Sequence, residues 1–150
     1  MRLPAKIALG AFAVLGLLQG IRFHRTNPPV TADLQAPPDV QNVLRRSCYD
    51  CHSNETVWPW YSAVAPASWV IHRDVSEGRR RMNLSSWADY AEDPGTRAQK
   101  LDEIRKAVVS GDMAPRYYLA LHPRARLSES DRATLLSWVT DELHAGPVSD

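Results

Sequence analysis

Cys48-Tyr49-Asp50-Cys51-His52 holds both cysteines of the 150-residue chain, and its reading decides the fold. Thiols three residues apart on a helical turn project from one side, at a separation that suits two vinyl groups along one edge of a porphyrin. A histidine directly after the second thiol is then held beneath the ring, where its Nε2 can bind iron. The C-x-x-C-H spacing is therefore read as covalent attachment of one haem c through Cys48 and Cys51, with His52 as an axial ligand. Other uses of paired cysteines fit less well. A thioredoxin-like exchanger needs a βαβ frame that the pattern around these residues does not offer. Structural zinc needs further ligands, and no second cysteine pair exists. A disulfide is geometrically poor at this spacing and leaves His52 without a role.

Outward from the motif, the chain reads as helices joined by proline-rich loops. Asp39 caps a short helix with Val40, Val43 and Leu44 on one face, running into Cys48. A second begins near Pro66, carries Trp69, His72 and Ser76 on one stripe, and ends near Gly78 or in Arg79–Arg81. Ser85 or Ser86 caps a brief third through Trp87 and Tyr90. A fourth spans Thr96 to Ser110, with Ala98, Leu101, Ile104 and Val108 inward and Gly111 as its stop. In the fifth, Ser128 caps and Asp131 takes the capping-box position; Leu135, Leu136, Val139 and Leu143 face inward, and Gly146-Pro147 terminate it. No segment alternates as a strand would. The expected fold is all-α, a cytochrome-c-like bundle of about five short helices around one haem. About 110 residues make a thin core, which a large apolar prosthetic group would stabilise.

Residues 1–23 read as a signal or signal-anchor segment. Arg2 and Lys6 precede an apolar run from Ile7 to Ile21, interrupted only by Gln19 and glycines, as export requires. The strictly apolar part, Ile7–Leu18, has signal-peptide length. No small-x-small cleavage site follows it, which favours an uncleaved membrane anchor over Leu3–Phe23; cleavage would instead release the domain to the periplasm. The flanking positive charges nearly balance, so they do not set an orientation. Residues 24–38, with Pro28, Pro29, Pro37 and Pro38, read as an extended spacer before a domain at 39–146.

Composition narrows the function. The chain is 44% hydrophobic and 23% charged, with seven glycines, eleven prolines and a formal net charge of +1. Four of its eighteen basic residues, Arg2, Lys6, Arg22 and Arg25, lie in residues 1–25, where there is no acid; fourteen remain beyond them against seventeen acids. That balance excludes a nucleic-acid binder.

A low-spin haem needs a sixth ligand. Met113, in Ser110-Gly111-Asp112-Met113-Ala114-Pro115, follows a helix stop in a proline-stiffened loop and is the candidate opposite His52. His72, Met82 and His122 are alternatives with blander default roles in packing, filling and loop bonding. Trp58, Trp60, Tyr61, Tyr117 and Tyr118 are expected as pocket wall and core, and Arg79–Arg81 as a solvated helix end.

The runs Cys48-Tyr49-Asp50-Cys51-His52-Ser53-Asn54-Glu55-Thr56 and Trp58-Pro59-Trp60-Tyr61 resemble the bacterial haem-binding domain family of c-type cytochrome-like proteins. The resemblance continues through Trp69, His72, Gly78-Arg79, Asn83-Leu84-Ser85, Trp87, Met113, Tyr118, His122-Pro123, Leu127-Ser128 and Trp138, over residues 39–140. It implies an exported, membrane-tethered domain binding one haem through Cys48, Cys51 and His52, with a methionine loop at Met113. The proline that the family usually has directly after this methionine is displaced here by Ala114. The resemblance implies haem binding and supplies no reaction; the ligand pair His52 and Met113 points to single-electron transfer with an unidentified redox protein outside the cytoplasm. The alternatives are a haem sensor or peroxidase-like enzyme with a displaceable sixth ligand, and a haem-free thiol oxidoreductase.

Overall fold

The computed structural model describes residues 3–145, and it is all-α. Arg2 and the expected stop at Gly146-Pro147 lie outside the described residues. The elements are α1 (Leu3–Leu18), α2 (Pro38–Ser47), α3 (Tyr49–His52), α4 (Ala67–Arg81), α5 (Ala88–Ala91), α6 (Pro94–Ser110), α7 (Arg116–Leu121) and α8 (Glu129–Ala145). Short 3-10 turns form at Trp60–Ala63 and Pro123–Ala125. Among the described residues β pairing is limited to one bridge, Ala32 with Ser86.

The five expected helices correspond to α2, α4, α5, α6 and α8, and the local chemistry explains their ends. The Ser128 hydroxyl accepts from the Asp131 amide at 3.1 Å while the Asp131 carboxylate accepts from the Ser128 amide at 2.8 Å, a reciprocal capping box. Asp93, not Thr96, caps α6 by accepting from the Thr96 amide at 2.7 Å, with Pro94 in its first turn. Gly111 ends α6 in the left-handed region, at φ 71°. Two expected caps fail. Asp39 lies inside the first turn of α2 behind Pro37 and Pro38 and makes no capping bond. Ser85 is buried and serves the loop after His52, and neither Ser85 nor Ser86 caps α5.

The main core joins Val40, Val43 and Leu44 of α2, Leu101, Ile104 and Val108 of α6, and Leu135, Trp138 and Val139 of α8, with Leu84 and Trp87. Leu44, Leu84, Leu101 and Leu135 are fully buried, and each contributes about 1.5–3 kcal/mol through the water it no longer meets. Leu143, expected inward, is exposed. On α4 the buried face is Ser68, Ile71, Val75 and Gly78, one position off the expected Trp69–His72–Ser76 stripe. That stripe is partly occupied from outside. Phe23 stacks on His72 at 4.7 Å, and the Trp69 indole donates to the Ile21 carbonyl at 3.3 Å.

The segment that follows these contacts also differs from its expectation. Residues 24–38 have no helix before Pro38, as a spacer would, but they lie along the domain rather than away from it. The Thr31 and Ala32 amides donate to the Ser85 carbonyl and the Leu34 amide to that of Leu84. Leu34 is itself core. The N-terminal helix is also shorter than expected, ending at Leu18 rather than reaching Phe23. Its sixteen residues extend for about 24 Å at ~1.5 Å each. Among the described residues, no helix is long and apolar enough to cross a membrane.

Candidate haem site

The motif begins where α2 stops. Cys48 leaves helical geometry at φ −122° and ψ −36°, and its carbonyl accepts from the Cys51 and His52 amides at 3.2 and 2.9 Å. That single turn brings both free thiols and His52 to one cleft. Ser53, extended at φ −145° and ψ 172°, ends α3. The polar run behind it is a brace. The buried Ser53 hydroxyl donates to the Tyr49 carbonyl at 2.8 Å. The Asn54 amide donates to the Ser85 hydroxyl at 3.0 Å, and the Asn54 side chain ties to Pro29 and Asn83. Thr56 Oγ1 donates to the Asp50 carbonyl at 2.8 Å. Satisfied buried bonds of this kind give a turn one conformation.

The cleft is walled by apolar side chains from distant parts of the chain. Ile104, Ala107 and Val108 come from α6, Met113 to Pro115 from the loop after it, and Tyr118, Ala125, Leu127 and Leu135 from the C-terminal third. It encloses about 700 Å³ of atom-free space, counting the open solvent at its mouth. Burial pushes both thiols up to about 12, so they are protonated at neutral pH. Burial also lowers the His52 imidazole, against the pull of the Met82 carbonyl. A neutral His52 Nδ1 donates to that carbonyl at 3.0 Å, which leaves the Nε2 lone pair available and fixes the ring. Ser47 Oγ, buried in the same wall, finds no hydrogen-bond partner among the described residues.

Met113 lines this cleft with Cys48, Cys51 and His52, so the four residues picked from the sequence share one site. Met113 is 45% exposed. Met82 also lines the cleft, but its backbone stands on the Nδ1 side of His52. His72 and His122 are not among the lining residues. His122 stacks on Tyr118 at 4.0 Å and bonds Tyr61 Oη at 3.3 Å. Of the aromatics expected in the wall, Tyr118 alone is there. Trp58 and Tyr61 pack on the second core cluster with Ile71 and Val75, whereas Trp60 and Tyr117 are exposed.

Several working residues escaped sequence reasoning. Asp50, inside the motif, accepts from Tyr118 Oη at 2.5 Å and from the Val57 amide at 2.9 Å. Burial and this carboxylate push the Tyr118 phenol up, so it stays a donor. Arg79, expected in solvent, donates from Nε to the Ser53 carbonyl and from its terminal nitrogens to Thr56 Oγ1, Asn27 Oδ1 and the Thr26 carbonyl, all within 3.0 Å. Gly78 is no terminus. It lies inside α4 where a Cβ would meet the Cys51 carbonyl carbon at 2.9 Å, with the oxygen closer still. The adjacent Gly78-Arg79 pair held the signal, because an in-helix glycine marks a close approach.

The donor set suits haem: two thiols on one turn, a neutral imidazole oriented by a carbonyl, a thioether, and an apolar wall. Among the described residues, no group of three or more His, Cys, Asp or Glu gathers as a metal cage would. A family model described as a haem-binding domain matches residues 13–141. The chain is also similar to the cytochrome c peroxidase Ccp of Escherichia coli (strain K12), at 25% identity over 139 residues. That match covers 88% of this chain and 30% of the relative, so the chain spans about a third of that protein. No solved structure matches the chain.

Proposed function

Because the chain belongs to the haem-binding domain family, we propose that it is an exported electron carrier holding one haem c by thioether bonds to Cys48 and Cys51. In this reading His52 and Met113 would hold its iron, and the N-terminal segment would keep the domain at the membrane. Haem supplies an iron that is stable as ferrous and ferric. The protein residues do the rest. Ile104, Val108, Leu127 and Leu135 exclude water from the cleft. The Met82 carbonyl holds the His52 ring in one tautomer, and a thioether ligand from Met113 would raise the potential of the bound iron. Two fixed protein ligands keep the coordination alike in both oxidation states.

The observation that carries this reading is the convergence of two thiols, a neutral oriented imidazole and a methionine on one apolar cleft. The test is a pyridine haemochrome spectrum with an intact mass, on protein exported alongside a haem-attachment system. One haem per chain, retained on denaturation, is expected; a bare polypeptide overturns the reading. Met113→Ala should turn the spectrum high-spin and admit carbon monoxide. An unchanged low-spin spectrum would remove Met113 from the ligand set.

A second reading, a haem sensor or peroxidase-like enzyme with a displaceable sixth ligand, draws on the name of the Escherichia coli relative and on the exposure of Met113. Among the described residues the cleft wall has no arginine and no histidine besides His52, so a distal acid–base pair would have to come from outside it. Rapid carbon monoxide binding or peroxide turnover by the unaltered protein would favour this reading over electron transfer.

A further inference from the structure

The exit of α1 is fastened to the domain. The Gln19 side chain accepts from the Ala65 amide at 3.0 Å and donates to the Ala65 carbonyl at 3.3 Å, a two-point grip on the backbone just before α4. Ile21 and Phe23 continue it through Trp69 and His72. Between residues 19–25 and the domain lies a second cleft, lined by Gln19, Arg22, Arg25, Ser62 and Ser68 among others, with no acidic residue. Among the described residues neither arginine has a hydrogen-bond or ion-pair partner. Ser68 is 8% exposed. Trp60, 79% exposed, opens the 3-10 turn whose Ser62 and Ala63 line this cleft.

We propose that this face is a membrane-docking surface, with the phosphate of an anionic phospholipid headgroup between Arg22 and Arg25 and Trp60 in the interfacial layer. The inference rests on the reading of α1 as the membrane segment. The described residues of α1 up to Leu17 are exposed, so their apolar side chains have no protein cover. At about 24 Å the helix is shorter than a hydrocarbon core of ~30 Å. A short segment brings its flanking residues to the headgroups, and the Gln19 grip brings the domain with them. Two unpaired arginines complement anionic phosphate, and a tryptophan is the side chain most at home at that depth. The domain therefore lies against the bilayer in one orientation.

The test uses the full chain reconstituted into vesicles of phosphatidylcholine, alone or mixed with phosphatidylglycerol, some carrying acyl chains brominated near the headgroup. Expected are flotation with both vesicles, and bromine quenching of fluorescence that is lost in Trp60→Phe. Native mass spectrometry should find retained phosphatidylglycerol falling about fivefold for each arginine in Arg22→Gln and Arg25→Gln. Gln19→Ala should float and retain its helix content but lose Trp60 quenching. Flotation with an unquenched Trp60, or lipid retention indifferent to both arginines, overturns the docking surface while leaving α1 in the membrane. Absence of flotation overturns the membrane reading and the docking surface with it.

Discussion

Gly78→Ala gives the sharpest probe of how α4 supports the haem turn. The added methyl would stand 2.9 Å from the Cys51 carbonyl carbon and 3.2 Å from its Cβ, where ordinary contact begins at 3.4 Å. The obstacle is backbone on both sides, so no rotamer relieves it, and α4 must withdraw by about 1 Å. Overpacking of this kind costs about 1–3 kcal/mol, against a gain of about 1 kcal/mol from alanine over glycine in a helix. Withdrawal also stretches the 2.7 Å bond from Arg79 to Ser53 and the 3.0 Å bond from His52 to Met82, each worth about 1 kcal/mol. The sum is a loss of roughly 2 kcal/mol, or a fall in Tm of about 4–8 °C for a chain of this size. Thermal unfolding followed by circular dichroism measures it on the haem-loaded protein, and the visible spectrum should report a perturbed His52 ligand. Gly10→Ala, with nothing within 4 Å of the new methyl, is the neutral control. A Gly78→Ala protein that melts with the parent and keeps its spectrum would refute the close-approach argument.

Three other substitutions test the frame. Hydrogen bonds from Arg46 and Ser128 outweigh burial and hold Asp131 at about 2; because the unfolded carboxyl titrates near ~3.9, its stabilisation is present above about pH 5 and lost as pH falls towards 2. Asp131→Asn should therefore cost about 1 kcal/mol at pH 7, allowing for solvent screening at the half-exposed Arg46, and urea midpoints of parent and variant should converge only as pH approaches about 2. Gly111→Ala forces a side chain into φ 71° and should lower stability by about 1 kcal/mol in the same urea assay; no change would deny the left-handed stop. Leu135→Ala hollows a fully buried position that also walls the cleft, with an expected cost of about 2–5 kcal/mol and weaker retention of the low-spin spectrum.

Much of the molecule was legible because its signals are local. Periodic leucines and valines located α2, α6 and α8, and C-x-x-C-H located a turn that lines the apolar cleft, since spacing on one turn is a property of consecutive residues. What escaped was long-range. Asp50 and Tyr118 are far apart in the chain, and only the tertiary fold brings the phenol to its carboxylate. The inward face of α4 was misjudged by one position because Phe23 and Ile21 cover Trp69 and His72 from a segment read as a signal or anchor. Short elements such as α3 and α7 follow tertiary context rather than propensity. Asp39 lost its capping role to two prolines whose rigid backbones already set the start of α2.

Arg79 joins matters that the chain order keeps separate. One guanidinium grips Thr26 and Asn27 on one side and Ser53 and Thr56 on the other, so immobilising either pair lessens the entropy lost in immobilising the other. Such linkage is reciprocal. Whatever rigidifies the turn after His52 must slow hydrogen exchange in the N-terminal strap, and loosening the strap must be felt at the haem end with equal free energy. The leash and the prosthetic group are thus thermodynamically in conversation through a single side chain.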